Sequence, residues 1–256
     1  MRFDAFDAYL CDLDGCLIAE DTLLPGAAEL IALAGDRLRV FSNNSTQTPA
    51  TLSLHLARLG LDIPAERILL AGAAAVEVLA RRPGIRLAVY GSAALRAHAR
   101  SCDLDPAAEA PTHVLVTGDR SLTCADLHAI VAHAARGAAV IGANPDASRP
   151  GPDGIPIPET GALLAAIRTV LPDIRISAFG KPSGEFYRYA LDRTGPGRRV
   201  LAIGDTPETD GLGARRMGLP VAIVGSASQR FASLPELIGA NPDFGLDRHG
   251  ADLCAG

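Results

Sequence analysis

Short apolar runs rich in Val, Ile and Leu alternate with Ala/Leu-rich stretches along nearly the whole chain, and no other feature constrains the fold as strongly. A run of four or five apolar residues suits a strand buried on both faces. The longer stretch that follows can cross back beside it as a helix, so the alternation predicts parallel βαβ architecture. Strands are expected at 8–11, 38–41, 87–90, 114–116, 139–141, 174–178, 200–203 and 221–224, and helices at 27–34, 93–100, 124–135 and 185–193, with a further helix ending near Leu59. The segment 143–161 is dense in proline and glycine and is expected to be loop. At 256 residues and 48% hydrophobic content, such a chain buries a full core without covalent staples.

Several function classes fall away on composition. The formal charge is −5, there is no Trp, and no Lys/Arg cluster occurs, so the electrostatic footprint and stacking platforms of a nucleic-acid binder are missing. No apolar run reaches the roughly 18–20 residues of a membrane span. The start, MRFDAFDAYL, carries two acids where a signal peptide has cations. No membrane partner and a cytoplasmic location are therefore expected. Cys11, Cys16, Cys102, Cys124 and Cys254 are scattered without a CxxC pair, and reduced thiols are expected.

Four polar segments follow expected strands. Asp12-Leu13-Asp14-Gly15 comes directly after the first, Ser42 after the second, Phe179-Gly180-Lys181-Pro182 after a later one, and Gly204-Asp205-Thr206-Pro207-Glu208-Thr209-Asp210 after residues 200–203. Each alone has an ordinary reading as a turn pair, an N-capping serine, a solvated lysine or a capped helix start. Together they put acids, a hydroxyl and a lysine at the carboxyl ends of strands expected to share one parallel sheet, where α/β folds bind ligands. Asp12 and Asp205 supply hard oxygens suited to Mg²⁺, and Lys181 and Ser42 can neutralise and hydrogen-bond phosphoryl oxygens. That is a phosphoryl-transfer constellation.

In order and content these segments resemble the four motifs of the haloacid dehalogenase-like (HAD) phosphatase superfamily. The chain is similar in particular to its NagD/p-nitrophenylphosphatase group, subfamily IIA, through Ser42-Asn43-Asn44-Ser45, Val116-Thr117-Gly118-Asp119-Arg120, Ala143-Asn144-Pro145-Asp146 and Thr160-Gly161-Ala162. The resemblance implies an α/β fold with a doubly wound, Rossmann-like parallel-sheet core and an inserted α/β cap domain of the C2 type. The core is expected at 1–72 plus 178–256 and the substrate-specificity cap at 73–177, and the resemblance implies a homodimer formed through the cap.

The resemblance also implies roles. Asp12 is the expected nucleophile, forming an aspartyl-phosphate, and Asp14 the acid and base, with Lys181 completing the catalytic set. Ser42, Asn43 and Lys181 are expected to bind the phosphoryl group. Mg²⁺ is expected on Asp12, Asp205 and the main-chain carbonyl of Asp14, with Asp210 in support. Asn44 and Arg149 are the expected specificity residues. Cys16 stands beside the nucleophile, but its acidic neighbours raise a thiol pKa and no redox role is expected. The expected activity is Mg²⁺-dependent hydrolysis of a small phosphorylated metabolite. Asp14 argues against dehalogenation, the short span from Gly15 to Phe41 against a mutase with its cap after the first motif, and the large insert against a signalling receiver. The alternatives carried forward are a phosphoryl-transferring mutase and a non-catalytic phosphometabolite-binding protein on the same fold.

Overall fold

The structure is a computed structural model that describes residues 5–149, 151, 155–225, 228 and 231–240. Its elements run β1 (Ala8–Cys11), β2 (Ile18–Ala19), β3 (Thr22–Leu23), α1 (Ala27–Ala34), β4 (Leu38–Ser42), α2 (Pro49–Arg58), β5 (Ile68–Leu70) and α3 (Ala71–Ala80). They continue through β6 (Leu87–Tyr90), α4 (Ala93–Ser101), β7 (His113–Val116), α5 (Cys124–Ala135), β8 (Ala139–Gly142), β9 (Ser148–Arg149), β10 (Ile157–Pro158), α6 (Thr160–Val170) and β11 (Ile176–Ala178). The remainder is α7 (Gly184–Asp192), β12 (Val200–Gly204), α8 (Leu212–Arg216), β13 (Val221–Ile223) and α9 (Leu234–Ala240). No helix among the described residues is long and apolar enough to cross a membrane.

The chain divides into two compact units. The first comprises Met1–Ser42, Pro49–Leu69 and Lys181–Gly256; the second comprises Asn43–Thr48 and Leu70–Gly180. The main joints fall at Leu69/Leu70 and Gly180/Lys181, and the short run Asn43–Thr48 also belongs to the second unit.

The first unit is organised by a five-stranded sheet in the order β13-β12-β1-β4-β5. β1 sits at its centre and pairs in parallel with β12 on one side and β4 on the other. Both faces of β1 are covered, which is why its four residues AYLC are all buried and read as an unbroken apolar run. β12 is equally buried and carries β13 in parallel.

The second unit has its own four-stranded sheet, β11-β8-β7-β6, with every pairing parallel. Val114, Val116, Val140, Leu164 and Ile167 form its core, and α5 starts on a capping box in which Thr123 and Asp126 satisfy each other's backbone donors.

Most expected elements are present. Of those not expected, β2 and β3 follow the first acidic turn, β5 and α3 fill a stretch left without elements, β9, β10 and the start of α6 lie inside the segment expected to be loop, and α8 and α9 come late in the chain; β11, which was expected, belongs to the second sheet. The last difference corrects the expectation that all four polar segments end strands of one sheet: three do, and Lys181 does not. Parallel pairing of Ile176–Ala178 with Val140–Gly142 extends the second sheet, so Lys181 enters the first unit from a loop and is placed by α7. Cys11, Cys16, Cys102 and Cys124 are free thiols; Cys254 lies outside the described residues.

Candidate active site

The site grows from the carboxyl edge of the first sheet. The Asp12 N–H donates to the Ile203 carbonyl at 2.8 Å, continuing the β1/β12 ladder by one residue and aligning the Asp12 carboxylate beside the end of β12. The chain then turns sharply. Leu13 O accepts from the N–H groups of Leu17 and Ile18 at 2.8 and 3.0 Å, and Gly15 donates to Ile18 O at 2.8 Å. Gly15 adopts φ +79°, a conformation costly for any residue with a Cβ. Ser42 ends β4, two residues past Val40, which is in register with Cys11; it is buried at the same sheet edge.

β12 leads into Asp205 and then a single wide helical turn, Pro207–Gly211, that brings Asp210 back towards the sheet. The Asp210 N–H donates to Thr206 O at 2.9 Å, and Thr206 N–H returns a bond to Asp210 Oδ2 at 3.2 Å. A Cβ on Gly204 would collide with the Asp210 carboxyl, so glycine is what allows that approach.

Lys181 is 1% exposed. Its Nζ lies 2.8 Å from Asp12 Oδ1 and 2.7 Å from Asp210 Oδ1, and sits 5.6 Å from the Phe41 ring centroid. Phe41 packs in turn on Phe186 and Tyr187 of α7, whose Tyr187 hydroxyl donates to Asp210 O at 3.0 Å. An ammonium out of water survives only with such partners. Asp12 Oδ1 also accepts the Leu13 N–H at 2.8 Å. Among the described residues both of these bonds fall on Oδ1.

The charges do not balance. Asp12, Asp205 and Asp210 offer ligand oxygens that all lie within 4.8 Å of one another, against the one ammonium of Lys181, so two negative charges remain among these four groups. The proton affinities record it. Burial pushes the Asp12 carboxyl well above its usual range, with Lys181 pulling down and Asp210 adding to the rise. Burial likewise raises Asp205. Burial works against the Lys181 ammonium, yet Asp12 and Asp210 outweigh it and hold the proton more tightly than in water. A compact set of hard oxygens with excess negative charge fits a divalent cation such as Mg²⁺. Gly15→Ala is expected to weaken Mg²⁺ binding tenfold or more, because the new Cβ would overlap Asp205 Oδ2. Titrating the thermal midpoint against Mg²⁺ measures this.

Asp14 is exposed on the turn, and its backbone bridges to Ile18. In the second unit, Asn43 Nδ2 donates to both Asp146 oxygens at 3.2 and 3.0 Å. Asn44 Oδ1 accepts from the N–H groups of Thr46 and Gln47, and its Nδ2 donates to Gln47 Oε1, so its amide shapes a local turn. Arg149 donates from Nε to Glu159 Oε1 at 2.9 Å across the β9–β10 hairpin. The structure thus gathers Asp12, Lys181, Asp205 and Asp210 into one cluster. Phe41, Tyr187 and Glu159 are partners that sequence reasoning did not single out, and Asp146 entered it only as the last residue of a motif, without a role. The thiol of Cys16 is pushed up first by its bond with Cys11 and then by burial, in keeping with an inert role.

Residues 9–105 match a family model described as haloacid dehalogenase-like hydrolase, and residues 178–248 match one described as HAD-hydrolase-like. The chain is 31% identical over 224 residues to a dihydroxyacetone phosphatase of Corynebacterium glutamicum, covering 86% of this chain and 81% of that one. It is 29% identical over 219 residues to the ribonucleotide monophosphatase NagD of Escherichia coli, covering 84% and 86%. Among solved structures, a glycerol phosphate phosphatase of Mycobacterium tuberculosis in complex with magnesium superposes with TM-score 0.81 at 27% identity, covering 88% of this chain and 69% of that one.

Proposed function

The chain belongs to the haloacid dehalogenase-like hydrolase family, as a NagD-type phosphatase, and from that premise we propose how its residues divide the work on a small phosphate monoester. The single observation that carries the reading is the buried Lys181 bridging Asp12 and Asp210 beside a third carboxylate, Asp205. Asp12 attacks phosphorus and becomes the aspartyl-phosphate, splitting hydrolysis into two displacement steps. Asp14 gives a proton to the departing alkoxide and then takes one from the water that releases phosphate. Its place on an exposed turn one residue beyond the nucleophile's neighbour suits a group that exchanges protons with solvent.

Ser42 and Lys181 grip phosphoryl oxygens, joined by the backbone N–H of Asn43, whose side-chain amide is engaged by Asp146. Asp210 is a positioning residue that holds Lys181 in place. Asp12, Asp205 and the main-chain carbonyl of Asp14 would hold Mg²⁺, which offsets charge on the transferring group. Asn44 and Arg149, in the second unit, bear on the choice of leaving group. The location is taken as cytoplasmic and the assembly as a homodimer, which analytical ultracentrifugation reads directly.

Phosphate release from p-nitrophenyl phosphate that requires Mg²⁺ and stops with EDTA tests the reaction. A panel of dihydroxyacetone phosphate, glycerol 3-phosphate and nucleoside monophosphates then ranks leaving groups, the first and last classes being those named in the two relatives. Asp14→Asn is expected to lower kcat about 10²–10⁴-fold with KM nearly unchanged. Full turnover in that variant would remove the proton role.

A further inference from the structure

Two of the points where the chain passes between its units lie directly beside residues of the phosphoryl grip. Ser42 is followed by Asn43, the first residue of the second unit, and Lys181 is preceded by Gly180, its last. Within the second unit these two crossing residues are tied to one segment, Ala143–Asp146. Gly180 N–H donates to Ala143 O at 2.8 Å, and Asn144 Nδ2 donates to Asn43 O at 2.7 Å. Asn43 Nδ2 then donates to Asp146 in a bond shared by both carboxylate oxygens, at 3.2 and 3.0 Å. The segment is anchored in its turn, since Asp146 N–H donates to Asn144 Oδ1 at 3.1 Å and Asp146 O accepts Gly161 N–H from the start of α6 at 2.7 Å. The fit is close: a Cβ on Gly180 would stand 2.5 Å from Asn43 Oδ1 and 3.0 Å from Ala143 O.

From this arrangement we propose that Asp146 is a positioning residue: by clamping Asn43 it locks the two crossings together, so that the backbones of Ser42 and Lys181 are held in one spacing from the side of the second unit. The inference rests on the reading of Ser42 and Lys181 as phosphoryl-gripping residues. An aspartate suits the task because both oxygens of an ionised carboxylate share the amide donor, and bonds to a charged acceptor are stronger than neutral ones. A shift of about 1 Å in a positioned group is enough to cost about 100-fold in rate, so a lock remote from the chemistry can govern turnover.

The test exchanges donor and acceptor. N43D sets a carboxylate against Asp146, and the double variant N43D/D146N restores a complementary pair with its polarity reversed. In N43D, kcat for p-nitrophenyl phosphate is expected to fall tenfold or more, and N43D/D146N to recover most of the loss. Hydrogen exchange supplies a readout independent of activity: amide protection around Ser42 and around Lys181 should drop together in N43D and return together in the double variant. Loosening confined to the segment after Ser42, or a double variant no better than N43D in exchange, overturns the lock. A wild-type protein inert towards every monoester removes the phosphatase reading instead, and the exchange experiment still decides whether the two crossings are coupled.

Discussion

Asp12→Asn is expected to lower turnover of p-nitrophenyl phosphate by about 10⁴-fold or more while leaving the fold intact, and to make the metal-free protein no less stable than wild type. The amide keeps the shape of the carboxylate and an oxygen for Leu13 N–H and Lys181, so the local bonds survive. What it loses is the oxygen proposed as nucleophile and one negative charge in a cluster with charge to spare. Removing that charge relieves repulsion with Asp205 and Asp210, so the thermal midpoint in EDTA should stay level or rise. The upward shift on adding Mg²⁺ should shrink, because one ligand is weaker. Activity within tenfold of wild type would remove Asp12 from the nucleophile's place.

The same cluster sets the pH dependence of the metal-free protein. A carboxyl whose proton affinity is raised on folding makes the folded state bind more protons than the unfolded chain, so its effect on stability worsens as pH rises through the folded value. Asp12 and Asp205 are both raised from the ordinary 3.8. Wild-type protein in EDTA should therefore gain stability from this site on acidification below neutral, levelling off as pH nears 3.8. Lys181, raised above the usual lysine value of 10.5, contributes fully throughout that window and is lost only in strong base. In Asp12→Asn the gain on acidification should be smaller.

Much of this was legible in the sequence because local signals and burial agreed. β1 and β12 read as strands since both faces are covered and nearly every residue is apolar, and the stretch 124–135 read as a helix, although the capping box of Thr123 and Asp126 at its start went unread. β5 and α3 were not legible, because the run Ile68–Leu70 passes straight into Ala71–Ala80 with no turn residue between them. The helix is buried on most of its surface and so shows no polar stripe to mark its period. Nor can any sequence pattern show which sheet a strand joins: 176–178 has the same character beside β8 as it would have beside β12. The acids were visible because each follows a strand, but the Asn43–Asp146 contact spans 103 positions and leaves no local trace. The partners of Lys181 lie in the same class, since Phe41 reads as a strand residue and Tyr187 as a helix residue until the fold stacks them.

Lys181→Met is the complementary substitution, and its expected effects are the largest on stability: a loss of about 3–5 kcal/mol in metal-free protein near neutral pH, together with a fall in turnover of about 10³-fold. Methionine matches the length of the lysine stem and can still lie over the Phe41 ring, so packing changes little. The ammonium, however, is the cation that bridges Asp12 and Asp210 among the described residues, with Asp205 close by. Without it those buried or half-buried carboxylates face each other within 4.8 Å with no cation among these four groups, so the cluster takes up protons or opens. The proton affinities of Asp12 and Asp205 then rise further, which fixes the sign of the test: chemical denaturation should find the deficit against wild type greatest at neutral to alkaline pH and shrinking as pH is lowered towards 3.8. Saturating Mg²⁺ should recover part of the stability, since a divalent cation meets the same excess charge, but not the turnover, since phosphoryl oxygens have lost a cationic partner that the metal does not replace. A deficit independent of both pH and Mg²⁺ would mean that Lys181 contributes through packing and not through its charge.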